Sequence, residues 1–183
     1  MTPEEYFAGE EISPIRREYI RGEVYAMSGS NSYHNMIALN LATILRKQVR
    51  GTECYAFVKD IKVRIETVDV FYYPDLTVTC DPRDRQLTDS FIQYPCLIVE
   101  VLSPSTEAFD RGDKFADYRE IESLKEYLVI SQTRPSVECF RRNERGRWEL
   151  YSYQGKEQVQ LSSLNLQVDM ATLYEDVWSE NKF

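Results

Sequence analysis

CLIVEVLSPSTEAFDRGDKFADY, residues 96–118, contains a buried strand, a stop signal and the beginning of a helix, and it decides the fold. Residues 97–102 are apolar on both alternating faces except at Glu100, a pattern typical of a central strand that is covered on both sides. Ser103 and Pro104 then end the extended segment. Because a buried carboxylate is costly without a compensating cation, donor group or proton, we expect Glu100 to have a partner inside the protein.

A second acid, Asp75, follows a proline at the start of another apolar segment, Tyr73-Pro74-Asp75-Leu76-Thr77-Val78. Two acids on strands can form a two-carboxylate metal site, because hard cations prefer carboxylate oxygens. We therefore predict that Asp75 and Glu100 point into the same pocket.

Length and charge limit the possible functions. A chain of 183 residues is long enough for one domain with a substantial core, and we expect residues 1–183 to form a single domain. Its 22 basic and 30 acidic residues give a net charge of −8, which counts against a protein that binds nucleic acid mainly through its overall charge. The sequence contains neither a signal peptide nor an apolar run of membrane-spanning length, so we expect a soluble cytoplasmic protein that does not bind membranes.

The four cysteines lie far apart, at positions 54, 80, 96 and 139, and form no C-x-x-C pair. Three of them lie in strand-like apolar segments. This pattern favours reduced, buried thiols over a disulfide framework or a zinc site.

Hydrophobic periodicity and turn residues predict the remaining elements. A helix is expected to begin at Thr2 and Pro3, and a hairpin to turn at Arg21 and Gly22. The strand–helix–strand order from 97 to 131 predicts a right-handed crossover between parallel strands. The other predicted strands are 54–58, 61–66, 70–79, 137–142, 148–153 and 159–161, and the other predicted helices run from the turn at 28–32 to about 50, from 106 to about 121, and over 171–177.

Three polar residues outside the two strand acids have a notable position. His34, the only histidine, lies on the apolar face of its predicted helix, where a hydrogen-bonded core histidine is the commoner role. Glu23 shares strand parity with Tyr25, although spacing alone favours a solvated acid just after a turn. Lys114 lies four residues after Asp110 on one helical stripe, where an ordinary surface ion pair is the simpler interpretation.

The motifs together resemble the Uma2 family, which is rich in cyanobacterial proteins. The residues that carry this resemblance are Gly22-Glu23, His34, Pro74-Asp75, the run Glu100-Val101-Leu102-Ser103-Pro104-Ser105, then Asp110, Lys114, Tyr118 and Glu126-Tyr127. The resemblance implies an α/β fold of the restriction-endonuclease-like, PD-(D/E)XK type. In that fold helices flank a central mixed β-sheet, here with additional β-hairpins. It also implies a Mg²⁺ site, which Mn²⁺ could also occupy, with Asp75, Glu100 and the carbonyl of Val101 as ligands.

One position departs from the wider superfamily, because Leu102 stands where the lysine of the ExK triplet is expected. Lys114 on the following helix is the predicted substitute, and Lys62 is the second choice. The resemblance implies that Glu23 and His34 are outer-shell or second-metal groups. The metal ion would neutralise charge on a phosphodiester and acidify a water molecule, and the lysine would orient that water or stabilise the phosphorus centre.

The leading hypothesis is a Mg²⁺-dependent endonuclease that hydrolyses DNA phosphodiester bonds, acting as a homodimer that addresses two strands. The arginine-rich segment 141–147 is a candidate DNA contact, although an exposed hairpin turn is the commoner explanation. Two alternatives remain open. One is a catalytically degenerate nucleic-acid or protein adaptor of the same fold, and the other is a hydrolase that uses Asp75 and Glu100 as an acid/base pair, as glycosidases do.

Overall fold

The computed structural model describes residues 1–27, 29–86 and 90–178. Ser28, which falls in the predicted cap before the second helix, lies outside the described residues. The described helices are α1 Pro3–Ile12, α2 Ser32–Val49, α3 Glu107–Arg111, α4 Asp113–Tyr118 and α5 Met170–Leu173. The described strands are β1 Arg17–Ile20, β2 Glu23–Ala26, β3 Tyr55–Val58, β4 Lys62–Ile65, β5 Val70–Tyr72, β6 Leu76–Thr79, β7 Phe91–Ile92, β8 Pro95–Leu102, β9 Glu126–Ser131, β10 Ser136–Arg142, β11 Trp148–Gln154, β12 Gln158–Leu161 and β13 Leu166–Asp169.

The largest sheet has the strand order β11-β10-β9-β8-β6-β3 and is mixed. Strands β8 and β9 pair in parallel, with Glu100 opposite Val129, and every other neighbouring pair in this sheet is antiparallel. The chain between the two parallel strands forms α3 and α4. The predicted parallel pairing of these strands, with a helical segment between them, and the central position of the strand that carries Glu100 are therefore confirmed.

The two faces of β8 belong to different hydrophobic clusters, as its alternating side chains require. On one face, Leu97 and Val99 pack with Ile37 and Leu41 of α2 in a large core that also contains the helix α5. On the other face, Ile98 and its neighbours pack in a second core with α4 and the smaller sheet. The strand is fully covered, so the charge of Glu100 lies deep between the layers.

A second sheet, with the order β2-β1-β5-β4-β7, was not part of the sequence prediction. The predicted strand 70–79 divides into β5 and β6, which belong to different sheets. The division falls at Pro74, which lacks the N–H that a central strand needs and restricts the residue before it. Asp75 follows this proline and therefore stands where the chain passes from one sheet to the other.

The predicted helix ending near residue 121 is also divided, because α3 and α4 meet at Gly112. This glycine has φ −107° and ψ −105°, which lies outside the helical region. A Cβ at this position would approach the carbonyl oxygen of Ala108 to 3.0 Å. Glycine therefore permits the close approach that joins the two short helices and directs Lys114 toward β8.

The prediction of four reduced cysteines is wrong for two of them, because Cys54 and Cys80 form a disulfide. The antiparallel pairing of β3 with β6 places Tyr55 opposite Thr79, so the two cysteines face each other one step further along. That pairing was not readable from cysteine spacing. Cys96 and Cys139 are free and buried, as predicted. None of the described helices is long and apolar enough to cross a membrane.

Candidate active site

A pocket of about 320 Å³ opens where the two sheets, α2 and the α3–α4 segment meet. Most of the predicted site residues line it, and two acids that the sequence analysis did not select as site residues join them. The titratable side chains in its wall are Glu18, His34, Lys59, Tyr73, Asp75, Glu100, Asp110 and Lys114. Val101 lines it as well.

Asp75 connects the central sheet to helix α2. Its Oδ2 accepts a hydrogen bond of 2.8 Å from the backbone N–H of Val101, and its Oδ1 lies 2.8 Å from Nε2 of His34. Strand β6 begins at Leu76, which pairs with Val99 of β8. The side chain of Asp75 therefore accepts a hydrogen bond from the β8 backbone just beyond the last pair of the two strands. The carboxylate is thereby fixed against β8, in the wall of the pocket.

His34 lies in the first turn of α2, where the side chain of Asn31 caps its backbone N–H at 3.0 Å. The buried face of the helix turns the imidazole inward, as its spacing predicted. Among the described residues the second ring nitrogen, Nδ1, has no hydrogen-bond partner. The Nε2 contact therefore determines the ring's orientation, and it holds Asp75 against β8.

Glu100 is 4% exposed and uses Oε1 for both of its hydrogen-bonding contacts. Nζ of Lys114 lies 2.9 Å away, and the hydroxyl of Tyr118 donates to the same oxygen at 3.0 Å. Burial raises the pKa of Glu100 well above its usual value, and the charges of Asp110 and Asp75 add to this shift against the attraction of Lys114. In the described structure no residue is hydrogen-bonded to Oε2.

Lys114 is the central cation of the pocket. Its Nζ lies 2.9 Å from Glu100, 3.0 Å from Glu18 and 3.7 Å from Asp110, and its side chain is 6% exposed. Burial opposes the charged form, but the surrounding carboxylates more than offset that effect and hold the pKa of Lys114 well above its usual value.

Lys62, the alternative substitute for the ExK lysine, points elsewhere. Its Nζ donates to the hydroxyl of Tyr73 at 3.1 Å and lies over the rings of Phe7 and Tyr73. Burial lowers the pKa of Lys62. Because Lys62 does not line the pocket, Lys114 is the lysine that the fold brings to Glu100.

The hairpin β1–β2 supplies Glu18 to the pocket, where the sequence analysis had placed Glu23. Glu23 is exposed, is paired with Ile20 in the hairpin and does not line the pocket. Glu18 lies on the other strand, binds Lys114 and accepts the backbone N–H of Tyr73 at 3.1 Å. Its neighbour Tyr19 points into an aromatic cluster, so strand alternation directs Glu18 the other way. The sequence contained the signal that identifies Glu18, because side chains alternate between the two faces in both strands of a hairpin.

The pocket holds more negative than positive groups, because its wall contains four acids and two lysines. Carboxylate oxygens are the donors that Mg²⁺ prefers, so the residues present fit such an ion by their chemistry. Among the described residues no three His, Cys, Asp or Glu side chains are arranged to hold a metal ion between them. Both oxygens of Asp75 contact protein groups, and a bound cation would have to share them.

Two of the arginines in the predicted DNA-binding segment form part of the fold. Arg141 Nε lies 2.7 Å from Oε1 of Glu126, which is fully buried, and its Nη2 donates to the carbonyl of Gln160. Arg142 donates to three carbonyl oxygens in the loop that follows α4. Their charges are therefore committed to internal contacts, which leaves Arg145 and Arg147 as the arginines of that segment available to solvent.

Comparison with known proteins agrees with the fold and with the motifs. Residues 3–172 match the Uma2 family, which is described as "Putative restriction endonuclease". Two uncharacterized proteins of Synechocystis sp. (strain ATCC 27184 / PCC 6803 / Kazusa) are similar over most of their length. The protein slr1290 is 40% identical over 174 residues, covering 95% of this chain and 91% of that one. The protein sll1609 is 32% identical over 157 residues, covering 85% and 89%.

A solved structure is similar across the whole fold. It is described as a "putative nuclease belonging to DUF820" from Anabaena variabilis ATCC 29413, and it matches with a TM-score of 0.78 at 16% identity. The match covers 97% of this chain and 99% of that one. The chain therefore has the restriction-endonuclease-like fold, a mixed α and β architecture, that its motifs predicted.

Proposed function

The chain belongs to the Uma2 family of restriction-endonuclease-like proteins, and on that basis we propose that it is a Mg²⁺-dependent endonuclease that hydrolyses phosphodiester bonds in DNA. The observation that carries the proposal is the contact between Lys114 and Glu100 in the pocket that also contains Asp75. The pocket brings together the two acids and the ammonium that such hydrolysis requires, although they lie on different elements of the chain.

Asp75, Glu100 and the carbonyl of Val101 are the groups that would hold Mg²⁺, or Mn²⁺ in its place. When bound, the ion supplies positive charge for the phosphodiester and makes a water molecule more acidic. His34 keeps the carboxylate of Asp75 oriented, and the hydroxyl of Tyr118 does the same for Glu100.

Lys114 is the proposed catalytic lysine, and its three acidic partners explain how it can serve. If Glu100 turns an oxygen toward a cation, Glu18 and Asp110 still hold the ammonium at the pocket and keep it charged. The ammonium can then orient the attacking water or stabilise the negative charge that develops at the phosphate. A homodimer would allow two such sites to act on two strands.

Nicking of a supercoiled plasmid in Mg²⁺ or Mn²⁺ tests the proposal. We expect the wild type to convert the plasmid to open-circular or linear DNA. Asp75→Asn and Glu100→Gln should abolish cleavage and Mg²⁺ binding by calorimetry, and Lys114→Ala should reduce cleavage by about 100-fold or more while it still binds metal. The matched control is Glu23→Gln, because Glu23 is an exposed glutamate of the β1–β2 hairpin that does not line the pocket.

A second candidate, a catalytically degenerate adaptor of the same fold, is favoured by one observation. The ion pairs between Lys114 and its acids already balance part of the buried charge of the pocket with a side chain of the protein itself. The same assays separate the candidates. An adaptor would not cut the plasmid, whether its acids bind Mg²⁺ or only pair with Lys114, and in that case the nuclease proposal is wrong.

A further inference from the structure

Lys59, which the sequence analysis did not single out, stands at the mouth of the pocket. It follows β3 directly, lines the pocket, and has a side chain that is 39% exposed. Its Nζ lies 4.0 Å from Oδ1 of Asp75 and is hydrogen-bonded to the hydroxyl of Ser30. A cation is therefore held beside a predicted metal ligand while it remains open to solvent.

The backbone fixes Lys59 to Asp75 as well. Its N–H donates to the carbonyl oxygen of Asp75 at 3.1 Å, one step beyond the β3–β6 ladder. Lys59 and Asp60 are consecutive non-glycine residues in the left-handed region, with φ of 30° and 51°. Arg16 holds the carboxylate of Asp60 at 2.9 Å and supports this turn. Strained turns of this kind persist only where surrounding contacts maintain them, and they occur often at functional sites.

The two lysines of the pocket differ in what they can reach. Lys114 is buried and shared by three acids, so its charge is already balanced inside the protein. Lys59 has a single acid within 4.0 Å among the described residues, and more than a third of its side chain faces solvent. In the described part of the chain, Lys59 is the pocket cation that an incoming anion meets first.

We propose that Lys59 binds a phosphate group of the nucleic-acid substrate and positions it over Asp75 and Glu100, which assigns the lysine a substrate-binding role distinct from that of Lys114. This inference rests on the proposed function. The physical need is clear, because four carboxylates repel a phosphodiester and a point charge at the mouth reduces that repulsion. An ammonium on a flexible stem can follow a phosphate oxygen without a fixed geometry.

The test compares Lys59→Met, which removes the charge but keeps the length, with Lys59→Arg, which keeps the charge. The matched control is Lys47→Met, since Lys47 is an exposed lysine on α2 that does not line the pocket. Binding of a short fluorescent DNA duplex is measured in Mg²⁺ at several salt concentrations, using the Glu100→Gln background and also the intact protein. Plasmid cleavage by each variant in the otherwise wild-type protein gives KM and kcat.

We expect Lys59→Met to weaken duplex binding by about 10-fold and to reduce the salt slope of log K by about one. KM for cleavage should rise more than kcat falls, and Lys59→Arg should restore most of the affinity. Unchanged binding and an unchanged salt slope in Lys59→Met would overturn the inference, even if the wild type cuts DNA. If the protein binds DNA through Lys59 and does not cut it, the inference holds and the nuclease proposal fails. A wild type that does not bind DNA overturns both.

Discussion

Replacing Lys114 by methionine removes an ammonium group and keeps a side chain of similar length. Nζ of Lys114 lies 2.9 Å from Glu100, 3.0 Å from Glu18 and 3.7 Å from Asp110, so these three acids share it. Three acids then remain around the pocket without their cation. Removing one partner from a buried ion pair typically costs about 3–5 kcal/mol, because the remaining charge is left uncompensated. We expect Lys114→Met to lower the free energy of unfolding at pH 7 by about that amount.

Replacing Glu100 by glutamine should have a much smaller effect, although it breaks the same contact. Lys114 keeps Glu18 and Asp110, and the hydroxyl of Tyr118 can donate to the new amide oxygen. The change also removes one of several like charges. We expect the free energy of unfolding to fall by no more than about 1 kcal/mol, or to rise.

The pH dependence has a definite sign. The pKa of Glu100 in the folded protein is raised above the ordinary value of 4.5, so its protonation favours folding below that pH, and this stability is lost as pH rises through the folded pKa. The free energy of unfolding of Glu100→Gln relative to that of the wild type should therefore increase as pH rises above 4.5. The loss of unfolding free energy caused by Lys114→Met should become smaller as pH falls toward 4.5, because the acids that lack their cation become protonated.

Urea unfolding followed by tryptophan fluorescence at pH 5 and pH 7 measures these differences. The exposed Lys47→Met serves as the control for the loss of a lysine. The reasoning is refuted if Glu100→Gln destabilises the protein as much as Lys114→Met does, or if the deficit of Lys114→Met is the same at both pH values. Either result would mean that the acids are not balanced by this one cation.

Reduction of the Cys54–Cys80 disulfide, which spans 26 positions, should lower the free energy of unfolding by about 3.5 kcal/mol from chain entropy, and a Cys54→Ser, Cys80→Ser protein should not respond to reductant in the same urea assay. Arg141→Ala should destabilise the fold by about 3 kcal/mol by removing the cation beside the buried Glu126, whereas Arg145→Ala should change the urea midpoint little. Glu18→Gln should reduce plasmid cleavage by about 10-fold or more by weakening the hold on Lys114, and Glu23→Gln should not. Equal cleavage by the two glutamate variants would contradict the placement of Glu18.

Much of the fold could be predicted because local signals and tertiary structure agree. Residues 97–102 are apolar except for Glu100, and such a run is typical of a strand that is buried on both faces of its sheet. The strand 126–131 has the same character, and the helix between them leads to parallel pairing. The turn at Arg21 and Gly22 was readable because both adopt positive φ, which glycine favours.

The errors occurred where tertiary pairing decides the outcome. Whether residues 70–79 form one strand or two depends on which sheet each half joins, and only Pro74 hinted at the division. The disulfide depends on the register of β3 against β6, which places Cys54 opposite Cys80. Lys59 lies on no periodic face, because its position results from a left-handed turn between strands.

The position of Lys114 explains how the fold can carry Leu102 where its superfamily expects a lysine. Leu102 shares its face of β8 with Glu100, but its side chain lies in the apolar cluster with Val63 and Phe115 and is 4% exposed. A lysine there would have to bury its ammonium among those groups or displace them. The crossover from β8 to β9 packs α4 against this same face, and the break at Gly112 turns Lys114 toward Glu100. The connection between the parallel strands thus brings an ammonium to the carboxylate from the helix, and the position of Leu102 on the strand can be occupied by an apolar side chain of the core.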